Sequence, residues 1–194
     1  MADKLIPTPS QTVGPFFHLA LDRPEWADLA AQNPEGAPII VEGRMTDGDG
    51  APVADAVLEL WQANAAGRYA HPDDTRIDKP LDPNFRGFGR VSTDAEGGFR
   101  FATIRPGPVP GRGNALQAPH IAVAIFARGL LKQLFTRIYF AGETANESDP
   151  VLLSIDDPAV RQTLIATRRD GAAPPTYRFD IVLQGNNETA FFEF

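Results

Sequence analysis

A mostly β fold, with a β-sandwich core, an N-terminal arm and one or two short helices, is the architecture this sequence predicts, and three observations carry that expectation. Short apolar runs with period-two alternation recur along the chain, and its 17 glycines and 18 prolines fall mainly between them, where turns belong. One run is cleaner than the rest: over 119–129, Ile121, Val123 and Ile125 alternate with Ala122 and Ala124, small enough for the strand to pack on both faces. The best helix signature, an aspartate cap followed by proline over 157–166, is short.

Residues 1–36 read as an arm with a short helix and 37–194 as the sandwich, one structural domain in all. The run Pro7-Thr8-Pro9-Ser10-Gln11-Thr12-Val13-Gly14-Pro15-Phe16-Phe17 is too rich in proline for a ladder strand and favours extended backbone. Its two phenylalanines then need covering, by the domain or by another chain. A short helix is expected over 23–32, with Pro24 in its first turn and Asn33-Pro34 ending it. Strands are expected over 39–45, 56–63, 88–92, 99–104, 119–129, 133–140 and 177–183, the third and fourth joined by Asp94-Ala95-Glu96-Gly97-Gly98. Asp47-Gly48-Asp49-Gly50 reads as a tight turn; as a calcium loop it lacks a third ligand and the distant glutamate. Residues 105–113 form a rigid, irregular loop, and the aromatic tail Phe191-Phe192-Glu193-Phe194 suggests docking.

The hydrophobic fraction of 43% and charged fraction of 22% are those of a globular chain long enough to bury a core. A net charge of −7 argues against nucleic acid or an anionic membrane as partner, so an anionic ligand would have to be met by local arginines. The absence of cysteine excludes disulfides, thiolate metal sites and cysteine nucleophiles. No run has the length of a membrane span and the first residues lack the apolar stretch of a signal peptide, so a cytoplasmic location is expected.

The candidate chemistry is sparse. The histidines are His18, His71 and His120, and the tyrosines Tyr69, Tyr139 and Tyr177. Their spacing offers no zinc cluster, and no Gly-x-Ser-x-Gly nucleophile is present. Tyrosine with histidine and no sulfur suits a hard, oxidised metal such as ferric iron. Equally, Tyr69 reads as a loop tyrosine hydrogen-bonded at a strand end, and His120 as a core histidine with a satisfied ring.

The run Leu60-Trp61-Gln62-Ala63-Asn64-Ala65-Ala66-Gly67-Arg68-Tyr69 resembles the intradiol ring-cleaving dioxygenases. The match continues, in family order, through Leu81-Asp82-Pro83-Asn84-Phe85-Arg86-Gly87-Phe88-Gly89-Arg90, Thr103-Ile104-Arg105-Pro106-Gly107-Pro108, Ala118-Pro119-His120-Ile121 and Tyr177-Arg178-Phe179-Asp180-Ile181-Val182-Leu183. The resemblance implies a β-sandwich and a ferric iron held by two tyrosines and two histidines. Tyr69 stands at the first tyrosine and His120 at the first histidine, but the second tyrosine is Val109, the second histidine is Ala122, and the family's arginine three residues before the first histidine is Gln117. Valine and alanine offer no donor atom to a metal. The resemblance therefore implies no catalytic residue and no metal site on this chain. Its opening, its run Ile125-Phe126-Ala127-Arg128-Gly129 and its ending Glu188-Thr189-Ala190-Phe191-Phe192-Glu193-Phe194 resemble the iron-free α chain of the family's two-chain members. There a homologous β chain holds the Fe(III), the two pair within a larger αβ oligomer, and the α arm helps line the β pocket. By the same resemblance that lining role falls on Thr12, Gly14 and Pro15, and Arg128 stands where an arginine meets the carboxylate of the aromatic acid. The reaction implied is opening of protocatechuate by O2 to 3-carboxy-cis,cis-muconate.

Two other functions fit the residues less well. One is a metal-free binding or scaffold module that kept only the sandwich; the retained arm argues against it, because a free module has no use for one. The other is an independent metalloenzyme built on Tyr69, His120 and His71 or Tyr139, which would need a new and complete shell of supporting residues.

Overall fold

The computed structural model describes residues 7–14, 16–111, 113 and 115–193. Eleven strands lie among them: β1 (Pro38–Thr46), β2 (Val57–Trp61), β3 (Phe88–Ser92), β4 (Gly98–Ile104), β5 (Val109–Pro110), β6 (Leu116–Gln117), β7 (Ile121–Phe126), β8 (Leu134–Phe140), β9 (Ile165–Arg169), β10 (Thr176–Arg178) and β11 (Ile181–Val182). One half is the antiparallel array β3-β2-β7-β8, the other the array β4-β1-β10-β9, with β11 extending the line of β10 along β1. The halves join at one edge, where Tyr139 and Phe140 of β8 run parallel to Ile165 and Ala166 of β9. The core lies between them: Val41, Phe99, Phe101 and Phe179 from one half meet Leu58, Leu60, Ile121, Val123, Ile125 and Ile138 from the other. The expected β-sandwich class is thus the observed one.

β7 departs from expectation on one face. Ile121, Val123 and Ile125 are fully buried, as alternation requires, but Ala122 and Ala124 are only half-buried and face outward. Their small side chains leave a groove there instead of a packed layer.

Other departures come from side chains competing with the regular backbone. The stretch expected as one strand over 177–183 divides into β10 and β11 where the exposed Asp180 side chain takes a ladder partner, Oδ1 accepting the Arg44 amide at 2.8 Å. At that jog the Phe179 carbonyl passes over Gly43, close enough that a Cβ on Gly43 would lie 1.7 Å from it. The helix expected over 157–166 is present only as α3 (Pro158–Gln162), capped by the Asp157 side chain. It stops because the Leu164 carbonyl accepts from Tyr139 N and Ile165 pairs with β8, both favoured by burial of Leu164 and Ala166. Likewise 23–32 makes only a 3-10 turn, Pro24–Ala27, before Leu29 N bonds Ala102 O and draws the chain onto β4. The two phenylalanines expected on extended backbone instead open a helix, α1 (Phe16–Leu21). The Phe17 ring lies 5.4 Å from that of Phe126, while Phe16 stays 79% exposed. A helix α2 (Pro150–Leu153) follows a further 3-10 turn, Thr144–Ser148. The tail docks as expected, Phe192 N bonding Phe135 O at 2.8 Å. Asp47 Oδ1 accepts the amides of Asp49 and Ala51, the bonds of a plain turn.

Substituting Gly43 by alanine forces a methyl group into a backbone carbonyl that cannot rotate away. The expected loss is about 3 kcal/mol, read as a lower urea midpoint with an unchanged slope.

Candidate functional site: a tyrosine–histidine pocket around Arg137

The site begins where β2 ends. Gln62 is buried and fully engaged, its Oε1 accepting from Thr103 Oγ1 at 2.7 Å and its Nε2 donating to Ile104 O at 3.0 Å. Asn64, two residues on, shapes the following loop: its Oδ1 accepts from Arg68 N, its Nδ2 donates to Pro80 O, and its carbonyl accepts from both Gly67 N and Gly107 N. Gly67 sits at φ 83, and a Cβ there would lie 2.1 Å from Pro108 O. This contact clamps the loop that carries Tyr69 against the loop that carries Val109. The Tyr69 ring stacks on Trp61 at 5.7 Å, and its amide is held by Asp74, which is ion-paired to Arg76. That pairing keeps the Asp74 carboxyl well below the usual carboxylate range.

Val109 and Gln117 face each other across the small hairpin of β5 and β6, the first of which lies in the stretch 105–113 expected as irregular loop. His120 follows, 4% exposed, its Nδ1 2.8 Å from Ala118 O. A carbonyl only accepts, so Nδ1 carries the hydrogen and Nε2 keeps the lone pair. Ala122 pairs directly with Arg137 on β8. The Arg137 guanidinium donates from Nη1 to Gln117 Oε1 at 2.5 Å and to the Tyr139 hydroxyl at 3.3 Å, and Tyr139 in turn donates to Asp149 at 3.2 Å. The rings of His120 and Tyr139 are 5.5 Å apart. Of the four positions singled out from the sequence, Ala122 pairs with Arg137, Tyr69 and His120 lie within reach of its charge, and Val109 stands opposite its partner Gln117; the arginine itself was not singled out. Its signal was present: Arg137 is the one charged residue on the apolar strand 134–140.

Burial sets the protonation here. It pushes the Tyr69 and Tyr139 phenols above their ordinary value, against the lowering effect of Arg137. It pushes His120 down to about 4, with the Arg137 charge adding in the same direction. Two neutral phenols and a neutral imidazole thus stand beside the Arg137 guanidinium, with the Asp149 carboxylate behind Tyr139 and the Asp74–Arg76 pair beside Tyr69. Outside the pocket, Trp61, Phe88, Ala122, Ala124 and Phe135 line an apolar groove of about 460 Å³ that ends at Arg137. His71 sits at the mouth, its ring edge-on to Trp61 at 6.3 Å and its Nδ1 accepting from Asp73 N.

The arm residues lie elsewhere. Thr12 Oγ1 accepts from Gly129 N at 2.8 Å, bringing the arm against the turn that carries Arg128. Arg128 is ion-paired to Asp55, Nε to Oδ2 at 3.0 Å, with its side chain 70% exposed. Gly14 is exposed and Pro15 lies outside the described residues. Arg128 and His120 stand at opposite ends of β7, roughly 25 Å apart along extended chain. The sequence candidates therefore form two groups, one around Arg137 and one where the arm meets the β7–β8 turn.

The chain matches the family described as Dioxygenase (Dioxygenase_C) over residues 13–185. It belongs to the intradiol dioxygenase family. This family member is 40% identical to a protocatechuate 3,4-dioxygenase alpha chain of Pseudomonas putida, over the whole of both chains. It is 44% identical to a beta chain of the same enzyme from Burkholderia cepacia, over 80% of this chain and 68% of that one. Among solved structures it resembles the dioxygenase domain of a dioxygenase carbohydrate-binding fusion from Streptomyces sp. SirexAA-E, with TM-score 0.62, 30% identity, and coverage of 95% and 100% of the two chains. Catechol 1,2-dioxygenase from Pseudomonas arvilla C-1 is similar at TM-score 0.62 and 26% identity, over 81% of this chain and 55% of that one.

Intradiol dioxygenases are iron enzymes, and the residues of this dioxygenase chain fit ferric iron poorly. Two of the positions around the pocket, Val109 and Ala122, carry hydrocarbon side chains that offer a metal no donor. Among the described residues no three histidine or carboxylate side chains converge on a point. Nor is any described helix long and apolar enough to cross a membrane.

His120 makes stability depend on pH. Its folded value of about 4 lies below the ordinary 6.5, so between these pH values the unfolded chain binds a proton that the folded chain does not. Stability contributed by the neutral ring is full above the ordinary value and falls as pH drops towards 4, by about 3 kcal/mol in total. Urea unfolding at a series of pH values should show this slope in the native chain and its loss in His120→Asn, which keeps a donor for Ala118 O but does not titrate.

Proposed function

We propose that this chain is the non-catalytic α-type subunit of a protocatechuate 3,4-dioxygenase, pairing with a homologous β chain that holds the Fe(III). The observation that carries this reading is the pocket itself: hydrocarbon at Val109 and Ala122, and the Arg137 guanidinium beside them. Similarity to both chains of such an enzyme supports the αβ pairing. The overall reaction is opening of protocatechuate by O2 between its hydroxyls to give 3-carboxy-cis,cis-muconate. Iron on the partner would activate and orient the bound catecholate.

This chain contributes assembly and part of the partner's substrate pocket through Thr12, Gly14, Pro15 and Arg128. The Thr12–Gly129 hydrogen bond supports that grouping, because it ties the arm to the turn bearing the arginine. Arg128 faces solvent, paired to the half-buried carboxylate of Asp55. Such a surface pair is worth at most about 1 kcal/mol, so a substrate carboxylate can replace Asp55 at small cost. Glycine and proline in the arm let backbone approach a ligand closely.

Two outcomes are expected. Iron and protocatechuate-dependent O2 uptake appear only when this chain is co-purified with its β partner; stoichiometric iron with a visible tyrosinate band in this chain alone would overturn the reading. In the assembled enzyme, Arg128→Ala raises KM for protocatechuate about tenfold with a smaller effect on kcat, since a charge-assisted bond to the carboxylate is lost. Unchanged steady-state kinetics would remove Arg128 from the pocket.

A further inference from the structure

The outward face of the sheet around β7 is laid out by strand register. Phe88, Trp61, Ala122 and Arg137 stand side by side across β3, β2, β7 and β8, and in the next row Glu59 and Phe135 flank Ala124. These residues line the apolar groove of about 460 Å³, the two alanines forming its floor. The strands that carry Trp61 and Arg137 lie two spacings apart, about 10 Å, and the volume falls in the range of small-molecule sites. Its charges are unequal. Glu59 is held by Arg90, Nη2 to Oε1 at 2.6 Å, so that carboxylate is already neutralised. The Arg137 guanidinium donates to Gln117 and the Tyr139 hydroxyl, and among the described residues no carboxylate pairs with it. Asp149, behind Tyr139, is occupied by three backbone amides. One end of an otherwise apolar groove thus presents a cation without an ion-pair partner.

We propose that this groove is a non-catalytic ligand site for a flat aromatic monocarboxylate, its ring lying on Ala122 and Ala124 beside Trp61 and its carboxylate meeting Arg137. The proposal rests on the iron-free reading above. With hydrocarbon at Val109 and Ala122, no metal gathers the hydroxyls of a catechol, so an acid without ring hydroxyls fits as well as one with them. Aromatic walls supply contact area for the ring, and the alanine floor leaves the room it needs. A guanidinium in a partly desolvated groove favours a carboxylate through charge-assisted hydrogen bonds. One cation matches one carboxylate. The ring-opened tricarboxylate made at the partner's iron would bring two further anions against apolar walls and Glu59, so the groove selects the closed-ring acid over that product.

Benzoate is the probe, because it has the ring and the carboxylate but no hydroxyls to chelate iron. The full chain, alone and in the complex with its iron-holding partner, is titrated by calorimetry, with the partner's visible absorbance reporting its own site separately. The expected result is one benzoate per copy of this chain in both forms, and binding of benzyl alcohol at least about tenfold weaker, since a hydrogen bond to a charged group is lost. Arg137→Gln, with native circular dichroism, is expected to weaken benzoate binding by at least about the same factor. No saturable binding to this chain, benzyl alcohol binding equal to benzoate, or an unchanged affinity in Arg137→Gln overturns the proposal.

Arg137 also holds its own neighbours, so a second variant guards the result. Ala124 is half-buried on the groove floor, and Ala124→Phe fills the groove from its outward face without entering the core. That variant is expected to lose benzoate binding to this chain, and retained binding overturns the proposal. Binding to the chain alone that disappears in the complex gives the groove to the partner chain and overturns it too. Iron in the native chain beyond that of its partner would instead sink the functional reading, so the two failures are distinguishable.

Discussion

The buried carboxylate of Asp149 ties the candidate site together. It is wholly inaccessible to solvent, and accepts from Ala118 N at 2.7 Å, Val151 N at 2.8 Å, Leu152 N at 2.9 Å and the Tyr139 hydroxyl at 3.2 Å. Those bonds start α2, hold the chain just before His120, and orient Tyr139 on the strand that joins the two halves of the sandwich. Each donor left without its partner in this dry interior would cost on the order of 1–3 kcal/mol. Ala118 in turn supplies the carbonyl that sets the His120 tautomer, and Tyr139 supplies an oxygen to Arg137. The geometry around Arg137 therefore follows from one side chain that touches neither the groove nor the arm.

The loops around the pocket are tightly held. The buried Gln62 network, the Asn64 loop and the close passage of Gly67 over Pro108 hold Tyr69 and Val109 as firmly as a functional centre would require. Arg137 donates to Gln117, which faces Val109, and to Tyr139. The neutral states of His120 and both phenols follow from the same enclosure. The second group, where Thr12 meets Gly129 beside Arg128, lies at the other end of β7 and is open to solvent. Two ends of one strand thus carry two kinds of chemistry, one half-buried at the end of a groove and one presented outward.

Much of this was legible in the residues. Alternation in Ile121, Val123 and Ile125 marks the inward face of β7, and glycine and proline between short apolar runs mark an all-β chain. That Val109 and Ala122 offer no donor is readable from residue type alone, because hydrocarbon cannot bind metal wherever the fold puts it. Helix ends were less legible. Asp157 and Pro158 start α3 by local chemistry, but its end at Gln162 depends on Leu164 and Ile165 finding β8, a contact invisible to local propensity. The break between β10 and β11 likewise depends on Asp180 finding Arg44, far away in sequence.

The sequence by itself determined the class of fold and the family, because these depend on residue type and order. Only the tertiary structure decided that Arg137 lies between Gln117, Tyr139 and Ala122, and that the arm meets Arg128 through Thr12 and Gly129. Those contacts join residues on different strands or a hundred positions apart, and strand register, set by the buried faces of β7 and β8, is what brings them within hydrogen-bonding distance.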